Sequence, residues 1–165
     1  MKLMSRSVVL LLCVILTATG CKKSGGCPEN NAVAPAAEAQ MVEDYLATNS
    51  ISATKHKSNM YYQITTPGTG GSPNQCSTVL VNYTLKLTNG NTVPDQPTDN
   101  IAFNLQGLIP AWIQGIPLIQ KGGKIRLIVP PSLAYGSQAQ TDRNGNVTIP
   151  ANSVLIFDIN LVDFQ

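Results

Sequence analysis

Residues 108–136 read LIPAWIQGIPLIQKGGKIRLIVPPSLAYG, and this stretch decides the fold. From Trp112 onward, apolar side chains recur at helical spacing, which predicts a helix at 111–119 that Pro117 keeps short. A Gly-Gly turn then leads into an alternating apolar strand at 125–129. The stretch contains aromatic and aliphatic residues but no His, Cys, Asp or Glu. It therefore predicts an apolar binding pocket, and not a centre of acid, base, metal or nucleophilic chemistry.

The rest of the chain supplies a sheet and one longer helix. Alternation of apolar and polar residues predicts strands at 61–64, 79–87, 101–105 and 155–161. An apolar stripe that begins after Pro35 predicts a helix at 36–48, which Asn49 ends. The polar segment 138–148, built around Asn144-Gly145, is predicted to be a loop. The fold class is therefore α+β: a twisted antiparallel sheet of about five strands around one short helix, preceded by an N-terminal helical leader.

The first residues have the pattern of an export signal. Lys2 and Arg6 precede an apolar run at 8–16, which is too short to span a bilayer as a stable helix. The small residues that precede Cys21 resemble a bacterial lipoprotein signal. This predicts a signal peptide at 1–20, a lipid on Cys21, and a location in the cell envelope, anchored to a bacterial membrane and facing the periplasm or exterior. An ordinary cleaved signal with an incidental Cys is the alternative.

The remaining chain divides by composition and has a balanced charge. We predict a tether at 21–34, a helical leader at 35–58 and a single domain at 59–165. Without residues 1–20, 9 of the 11 Lys and Arg residues remain against 9 Asp and Glu. No basic patch with interleaved aromatic residues is present, so the sequence does not favour a nucleic-acid partner.

The cysteine count leaves one candidate disulfide. The chain has four Cys residues, of which Cys13 lies in the predicted signal and Cys21 is the predicted lipid site. Cys27 and Cys76 remain, and an exported protein can oxidise such a pair. The bridge would add about 3–4 kcal/mol of stability, mostly by restricting the unfolded chain. Two free thiols are the alternative, and two Cys with the single His are too few for a zinc site.

Five stretches of the chain resemble the FKBP-type peptidyl-prolyl cis–trans isomerase domain of exported bacterial members of that family. They occur in the family's order and at its spacing. They are Tyr61-Tyr62-Gln63-Ile64, Val81-Asn82-Tyr83-Thr84, Leu108-Ile109-Pro110-Ala111-Trp112, Ile128-Val129-Pro130-Pro131-Ser132-Leu133-Ala134-Tyr135-Gly136 and Ile149-Pro150-Ala151-Asn152-Ser153-Val154-Leu155-Ile156-Phe157-Asp158. The resemblance implies rotation about X–Pro bonds of polypeptide substrates, with no cofactor, by a protein that assists the folding of exported proteins. Nothing in the sequence pattern demands more than a monomer, and the oligomeric state stays open.

The resemblance also implies the site. The pocket residues are Tyr83, Asp95, Phe103, Leu108, Ile109, Trp112, Tyr135, Ile149 and Phe157. By family position, Trp112 lies under the proline ring, and Tyr83, Phe103 and Phe157 form walls around it. Leu108 forms the rim with Ile109, whose backbone N–H donates to a substrate carbonyl. Tyr135 offers its hydroxyl to the carbonyl of the isomerising segment, and Ile149 closes the pocket.

Some positions depart from the family pattern. Val93 stands where the family usually has a wall Phe, and Pro94 falls where its substrate-contacting Asp is usual, so that Asp95 takes this role only if the strand shifts by one residue. Ala111 replaces a usual Gly. These changes leave two alternatives to the enzyme: a catalytically weak chaperone or adaptor lipoprotein that binds proline-containing peptides, and a structural lipoprotein with a vestigial pocket.

Overall fold

The computed structural model describes residues 26–94, 97 and 99–165. The predicted signal peptide and Cys21 lie outside these ranges. The helices and strands are α1 (Ala36–Thr48), β1 (Thr54–Lys55), β2 (Tyr61–Thr66), β3 (Thr78–Leu87), β4 (Ile101–Asn104), α2 (Pro110–Gly115), β5 (Lys124–Val129), β6 (Gln140–Thr141), β7 (Val147–Ile149) and β8 (Leu155–Phe164). Short 3₁₀ turns follow β4, α2 and β5. No helix in the described ranges is long and apolar enough to cross a membrane.

One antiparallel sheet carries the domain. Among the described residues it has six strands, in the order β1-β2-β5-β8-β3-β4. The long strand β8 lies between β3 and β5, so that Phe157 is paired with Leu85 on one side and Leu127 on the other. This confirms the predicted α+β fold with its antiparallel sheet, short helix and N-terminal helix. The additional strand is β1, whose two residues are too few to show a period of two.

The sheet is covered by a helix on each face. Because side chains alternate along a strand, Leu127 and Phe157 pack in the core that contains α2, while Ile128 and Ile156 pack in the core that contains α1. The predicted helix at 36–48 has the bounds of α1 and ends with Asn49 as its cap. Burial on both faces explains why β5 and β8 read as continuous apolar runs near this contact.

Helix α2 is shorter than the predicted helix at 111–119. It ends at Gly115 and passes into a 3₁₀ turn, Ile116–Leu118, because Pro117 has no N–H to donate to the helix. A Cβ built on Gly115 would lie 2.7 Å from a methyl carbon of the buried Leu127. The missing side chain thus allows the end of α2 to approach β5 closely.

The prediction of a loop at 138–148 was wrong at both ends of the segment, where β6 and β7 pair. The turn between them is held by the Asp142 carboxylate, which accepts hydrogen bonds from the backbone N–H groups of Asn144 and Asn146, both at 2.8 Å. The Asn146 side-chain amide donates to the same carboxylate at 2.9 Å. Gly145 adopts a φ of +85°, which glycine accommodates easily. Strands this short leave no readable alternation in the sequence.

Residues 27–34, which we call the strap, lie against the domain although the sequence predicts a tether at 21–34. A disulfide joins Cys27 to Cys76, with the Cα atoms 5.6 Å apart, and so the candidate pair is bonded. At the other end of the strap, Ala34 is buried and its N–H donates to the Ser58 carbonyl at 3.0 Å. Helix α1 follows directly, so strap and helix form a continuous covering of the domain.

Candidate active site

Trp112 is the centre of an aromatic cluster. Its ring meets the rings of Tyr83, Phe103 and Phe157 nearly at right angles, with centroid distances of 4.9, 5.9 and 5.6 Å. Edge-to-face contacts of this kind are favoured by the quadrupoles of the rings. Trp112 is only 4% exposed. Within the described residues its indole Nε1 has no hydrogen-bond partner.

Three strands and one helix bring the cluster together. Tyr83 lies on β3, Phe103 on β4 and Phe157 on β8, while α2 holds Trp112 against them. All four side chains belong to one hydrophobic core, in which Tyr83 and Phe103 are half-buried at its border. The structure therefore assembles the four predicted aromatic residues into one group, although 74 positions separate the first from the last.

The rim residues lie directly before α2. Leu108 and Ile109 are half-buried and pack against the same core as Trp112. The Ile109 carbonyl accepts hydrogen bonds from the N–H groups of Trp112 and Ile113, at 3.0 and 3.2 Å, which begins the helix. The Ile109 N–H itself donates to no group within the described part of the chain. A backbone donor is thus available at the edge of the aromatic cluster.

Tyr135 follows the 3₁₀ turn after β5, and the residue after it, Gly136, is held by two backbone hydrogen bonds. The Gly136 N–H donates to the Pro131 carbonyl at 2.8 Å, and the Gly136 carbonyl accepts from the Asn152 N–H at 2.7 Å. Burial raises the pKa of the Tyr135 hydroxyl. Burial, followed by the proximity of Tyr135, raises the pKa of Tyr83 as well. Both phenols therefore remain neutral hydrogen-bond donors through the physiological pH range.

The remaining predicted residues have different outcomes. Ile149 ends β7, is 4% exposed and belongs to the same core as Trp112. Val93, at the position of the family Phe, is buried in that core, and its N–H donates to the Leu85 carbonyl at 2.9 Å. Asp95 lies outside the described residues.

A cleft of about 800 Å³ opens beside Tyr83, and no local sequence pattern indicates it. The residues that line it are Tyr83, Pro94, Pro97, Ile101, Asp142, Arg143 and Asn144. The tip of the β6–β7 hairpin and the loop after β3 face each other across this cleft. The pairing of β6 with β7, which brings this tip beside Tyr83, depends on tertiary contacts that a local pattern cannot show.

The described residues contain no group of three His, Cys, Asp or Glu side chains that could hold a metal ion. The groups gathered around Trp112 are rings, aliphatic side chains, neutral hydroxyls and a backbone N–H. Such a set can enclose an apolar ligand and donate hydrogen bonds to its carbonyl groups.

The family model of the FKBP-type peptidyl-prolyl cis-trans isomerase matches residues 70–162. The chain therefore belongs to the FKBP-type peptidyl-prolyl cis-trans isomerase family, as its five sequence stretches predicted.

Curated relatives share the domain but are longer. The FKBP-type peptidyl-prolyl cis-trans isomerase FkpA of Escherichia coli (strain K12) is 40% identical over 108 residues, which are 64% of this chain and 38% of the relative. A probable FKBP-type peptidyl-prolyl cis-trans isomerase of Haemophilus influenzae is 37% identical over 110 residues, 65% of this chain and 43% of the relative. The match thus spans about two-fifths of the length of these relatives.

Solved structures show the same fold. The crystal structure of FkpA from Escherichia coli aligns with a TM-score of 0.65 and 33% identity, and covers 79% of this chain and 60% of that chain. The crystal structure of a peptidyl-prolyl cis-trans isomerase from Pseudomonas syringae pv. tomato aligns with a TM-score of 0.66 and 27% identity, and covers 80% and 97%.

Proposed function

We propose that this chain is a peptidyl-prolyl cis–trans isomerase that assists the folding of exported proteins. The observation that carries the proposal is the enclosure of Trp112 by three perpendicular aromatic rings, with hydrogen-bond donors at the border of the cluster. Membership of the family supports it. The substrates are polypeptides that contain proline.

The chemistry of X–Pro rotation suits such a pocket. The barrier is about 18–20 kcal/mol because rotation breaks the resonance of the amide. The twisted amide has lost the charge separation of the planar one, so a dry apolar pocket binds it better than the ground state. The reaction needs no nucleophile and no proton relay. A site made of rings, hydroxyls and a backbone N–H is therefore sufficient.

Each pocket residue then has a defined role. The proline ring lies on Trp112, between the walls formed by the other three aromatic residues. The Ile109 N–H, which has no partner in the described part of the chain, donates to a substrate carbonyl at the rim, where Leu108 covers the peptide. The neutral Tyr135 hydroxyl donates to the carbonyl of the isomerising segment, and Ile149 closes the pocket. Asp95, which lies outside the described residues, contacts the substrate only if the strand is shifted by one residue relative to the family.

A second function is favoured by one observation. Val93 is buried in the core at the place where the family has a wall Phe, so the wall lacks an aromatic ring. A pocket weakened in this way would bind proline-containing peptides as a chaperone or adaptor without fast turnover. The Val93→Phe variant tests the cause: a gain of rate in the folded variant would show that the missing ring limits turnover.

The deciding experiment measures isomerisation of X–Pro tetrapeptides with varied X, with and without the protein. We expect clear acceleration, with a preference for certain X that describes the rim. A folded protein that binds these peptides but does not accelerate them would favour the adaptor. A folded protein that does neither would indicate a vestigial pocket.

We further propose a lipid anchor on Cys21 and a location in the cell envelope, on a bacterial membrane and facing the periplasm or exterior. The small residues before Cys21 and the apolar run at 8–16 support the anchor, and the Cys27–Cys76 disulfide supports an oxidising compartment. Incorporation of labelled fatty acid that is lost in Cys21→Ser is the test; equal labelling of both would contradict it.

A further inference from the structure

Gln114 is a buried amide in the short helix that carries Trp112. It is 5% exposed, and its Nε2 donates to the Asn30 side-chain oxygen at 3.1 Å and to the Ala32 carbonyl at 2.9 Å. Both partners belong to the strap, more than eighty positions earlier in the chain. Because a buried polar group is costly unless it is paired, these bonds hold strap and helix together.

The strap is itself fixed to the domain at several points. The Cys27–Cys76 disulfide closes its first end. The Asn30 N–H donates to the Gln75 side-chain oxygen at 2.5 Å, next to the bridged Cys76. The Asn30 side-chain oxygen also accepts the Ala32 N–H at 3.1 Å, so this one oxygen serves both strap and helix. The strap is therefore a fixed support beneath α2.

Helix α2 needs an external support. It has six residues, begins at Pro110 and is followed by Pro117 just beyond its end. Isolated helices of this length are unstable in water, so packing decides where α2 lies. The sheet contacts it through Trp112, and the strap contacts it through Gln114, two residues later. Ala32 of the strap packs against the same core as Trp112.

We propose that Gln114 is a positioning residue, which with the strap residue Asn30 fixes α2 and thereby the place of Trp112 in the pocket. The proposal rests on the proposed isomerase function for its effect on rate. It extends the functional unit beyond the family match at residues 70–162, back to the disulfide at Cys27.

The test compares variants that remove or keep the hydrogen bonds of the Asn30 side-chain oxygen, which accepts from Gln114 and from the Ala32 N–H. Asn30→Ala removes the shared acceptor, whereas Asn30→Asp retains an acceptor oxygen. Gln114→Met keeps the side-chain length but removes the donor. Gln120→Met is the matched control, because Gln120 donates to the Gly70 carbonyl, away from the strap. Thermal unfolding establishes that each variant is folded at the assay temperature.

Two measurements report on the state of the pocket. Trp112 is the only Trp of the chain, so acrylamide quenching of Trp fluorescence reports the enclosure of the pocket directly. The second readout is kcat/KM on an X–Pro tetrapeptide. We expect Asn30→Ala and Gln114→Met to increase quenching and to lower kcat/KM about ten-fold, because small displacements of positioning groups have large kinetic effects. Asn30→Asp and Gln120→Met should match the wild type in both.

The outcomes separate this proposal from the proposed function. The positioning role would be overturned if folded Asn30→Ala showed the same quenching and the same kcat/KM as the wild type. Asn30 is half-buried on the strap, so this variant decides the matter even if Gln114→Met does not fold. If the wild type shows no isomerase activity, the proposed function fails, and quenching alone decides whether Gln114 and the strap position Trp112.

Discussion

The rings of Tyr83 and Trp112 meet at 89°, with their centroids 4.9 Å apart. Trp112 is almost fully buried, whereas Tyr83 is half-buried and also lines the cleft beside the β6–β7 hairpin. Tyr83 therefore packs in the aromatic cluster and is also accessible from the surface cleft. A peptide that occupied the cleft would therefore contact Tyr83 at the border of the aromatic cluster.

Replacement of Trp112 by Ala should lower isomerase activity well beyond the loss of folded protein. Removing a buried aromatic side chain costs about 3–5 kcal/mol of stability. The activity must therefore be divided by the folded fraction, measured by circular dichroism. Ile128→Ala is the matched control, because Ile128 is buried in the core on the α1 side of the sheet. It should lower stability and keep activity per folded molecule. Equal activity per folded molecule in Trp112→Ala would contradict the pocket assignment.

Replacement of Tyr135 by Phe should lower kcat/KM about two- to ten-fold, the value of one net hydrogen bond. Since burial raises the pKa of Tyr135, its hydroxyl remains a donor, and the wild-type kcat/KM should stay level from neutral pH to about pH 10. Above that pH the wild type should lose activity, while Tyr135→Phe should not lose it by this route. A wild-type decline that begins near neutral pH would show that another group titrates in the reaction.

The same shift has a consequence for stability. The folded-state pKa of Tyr135 lies above the unfolded value of about 10, so the folded protein retains the proton longer than the unfolded chain. This contribution is fully present below the unfolded pKa and is lost as pH rises through the folded pKa. Denaturant titrations should therefore show a shallower alkaline loss of stability in Tyr135→Phe than in the wild type. Identical alkaline slopes would contradict the shift.

Loss of the disulfide should cost about 4 kcal/mol of unfolding free energy, because the bridge closes a loop with a sequence separation of 49. The measurement is the urea midpoint of the wild type and of the Cys27→Ala/Cys76→Ala double variant, each with and without a dithiol reductant. Reductant should lower the midpoint of the wild type and leave that of the double variant unchanged. A wild-type midpoint that does not respond to complete reduction would contradict this expectation.

Replacement of Gly115 by Ala should destabilise the protein by about 1–3 kcal/mol, the usual cost of overpacking a core. Ala is the better helix former by up to about 1 kcal/mol, so the sign of the result depends on the new Cβ meeting Leu127 at 2.7 Å. Gly107→Ala is the control, because a Cβ there meets nothing within 4 Å. Thermal unfolding of both variants is the measurement. Equal stability of the two would show that Leu127 moves aside freely.

The elements that the sequence predicts well are those with a long local pattern. Helix α1 combines Pro35 at its start with an apolar stripe that includes Val42 and Leu46, and its bounds agree with the prediction. The long strands β3 and β8 have enough residues for a period of two to be read. Strands β1, β6 and β7 have two or three residues, and their pairing depends on partners that a local pattern cannot show.

The site depends on contacts between distant positions. The aromatic residues around Trp112 come from three separate strands, so only the order and spacing of the whole family pattern indicated that they meet. The roles in catalysis assigned to them stay predictions. The sequence indicates only one end of the strap, through the candidate pair Cys27 and Cys76, because its small and polar residues are typical of a tether. The contacts of Asn30 and Ala32 with Gln114 are set by the tertiary fold.

The double covering of the sheet limits how the protein can be shortened. The family match begins at residue 70, after α1 and β2. A fragment that starts there would turn β5 into an edge strand with open backbone donors and acceptors. It would also leave Ile128 and Ile156 in contact with water. An exposed apolar strand edge of this kind pairs with strands of other chains, which leads to aggregation. Strand β2 and helix α1 therefore protect the sheet from aggregation, and we expect a fragment that lacks them to be less soluble than the full chain.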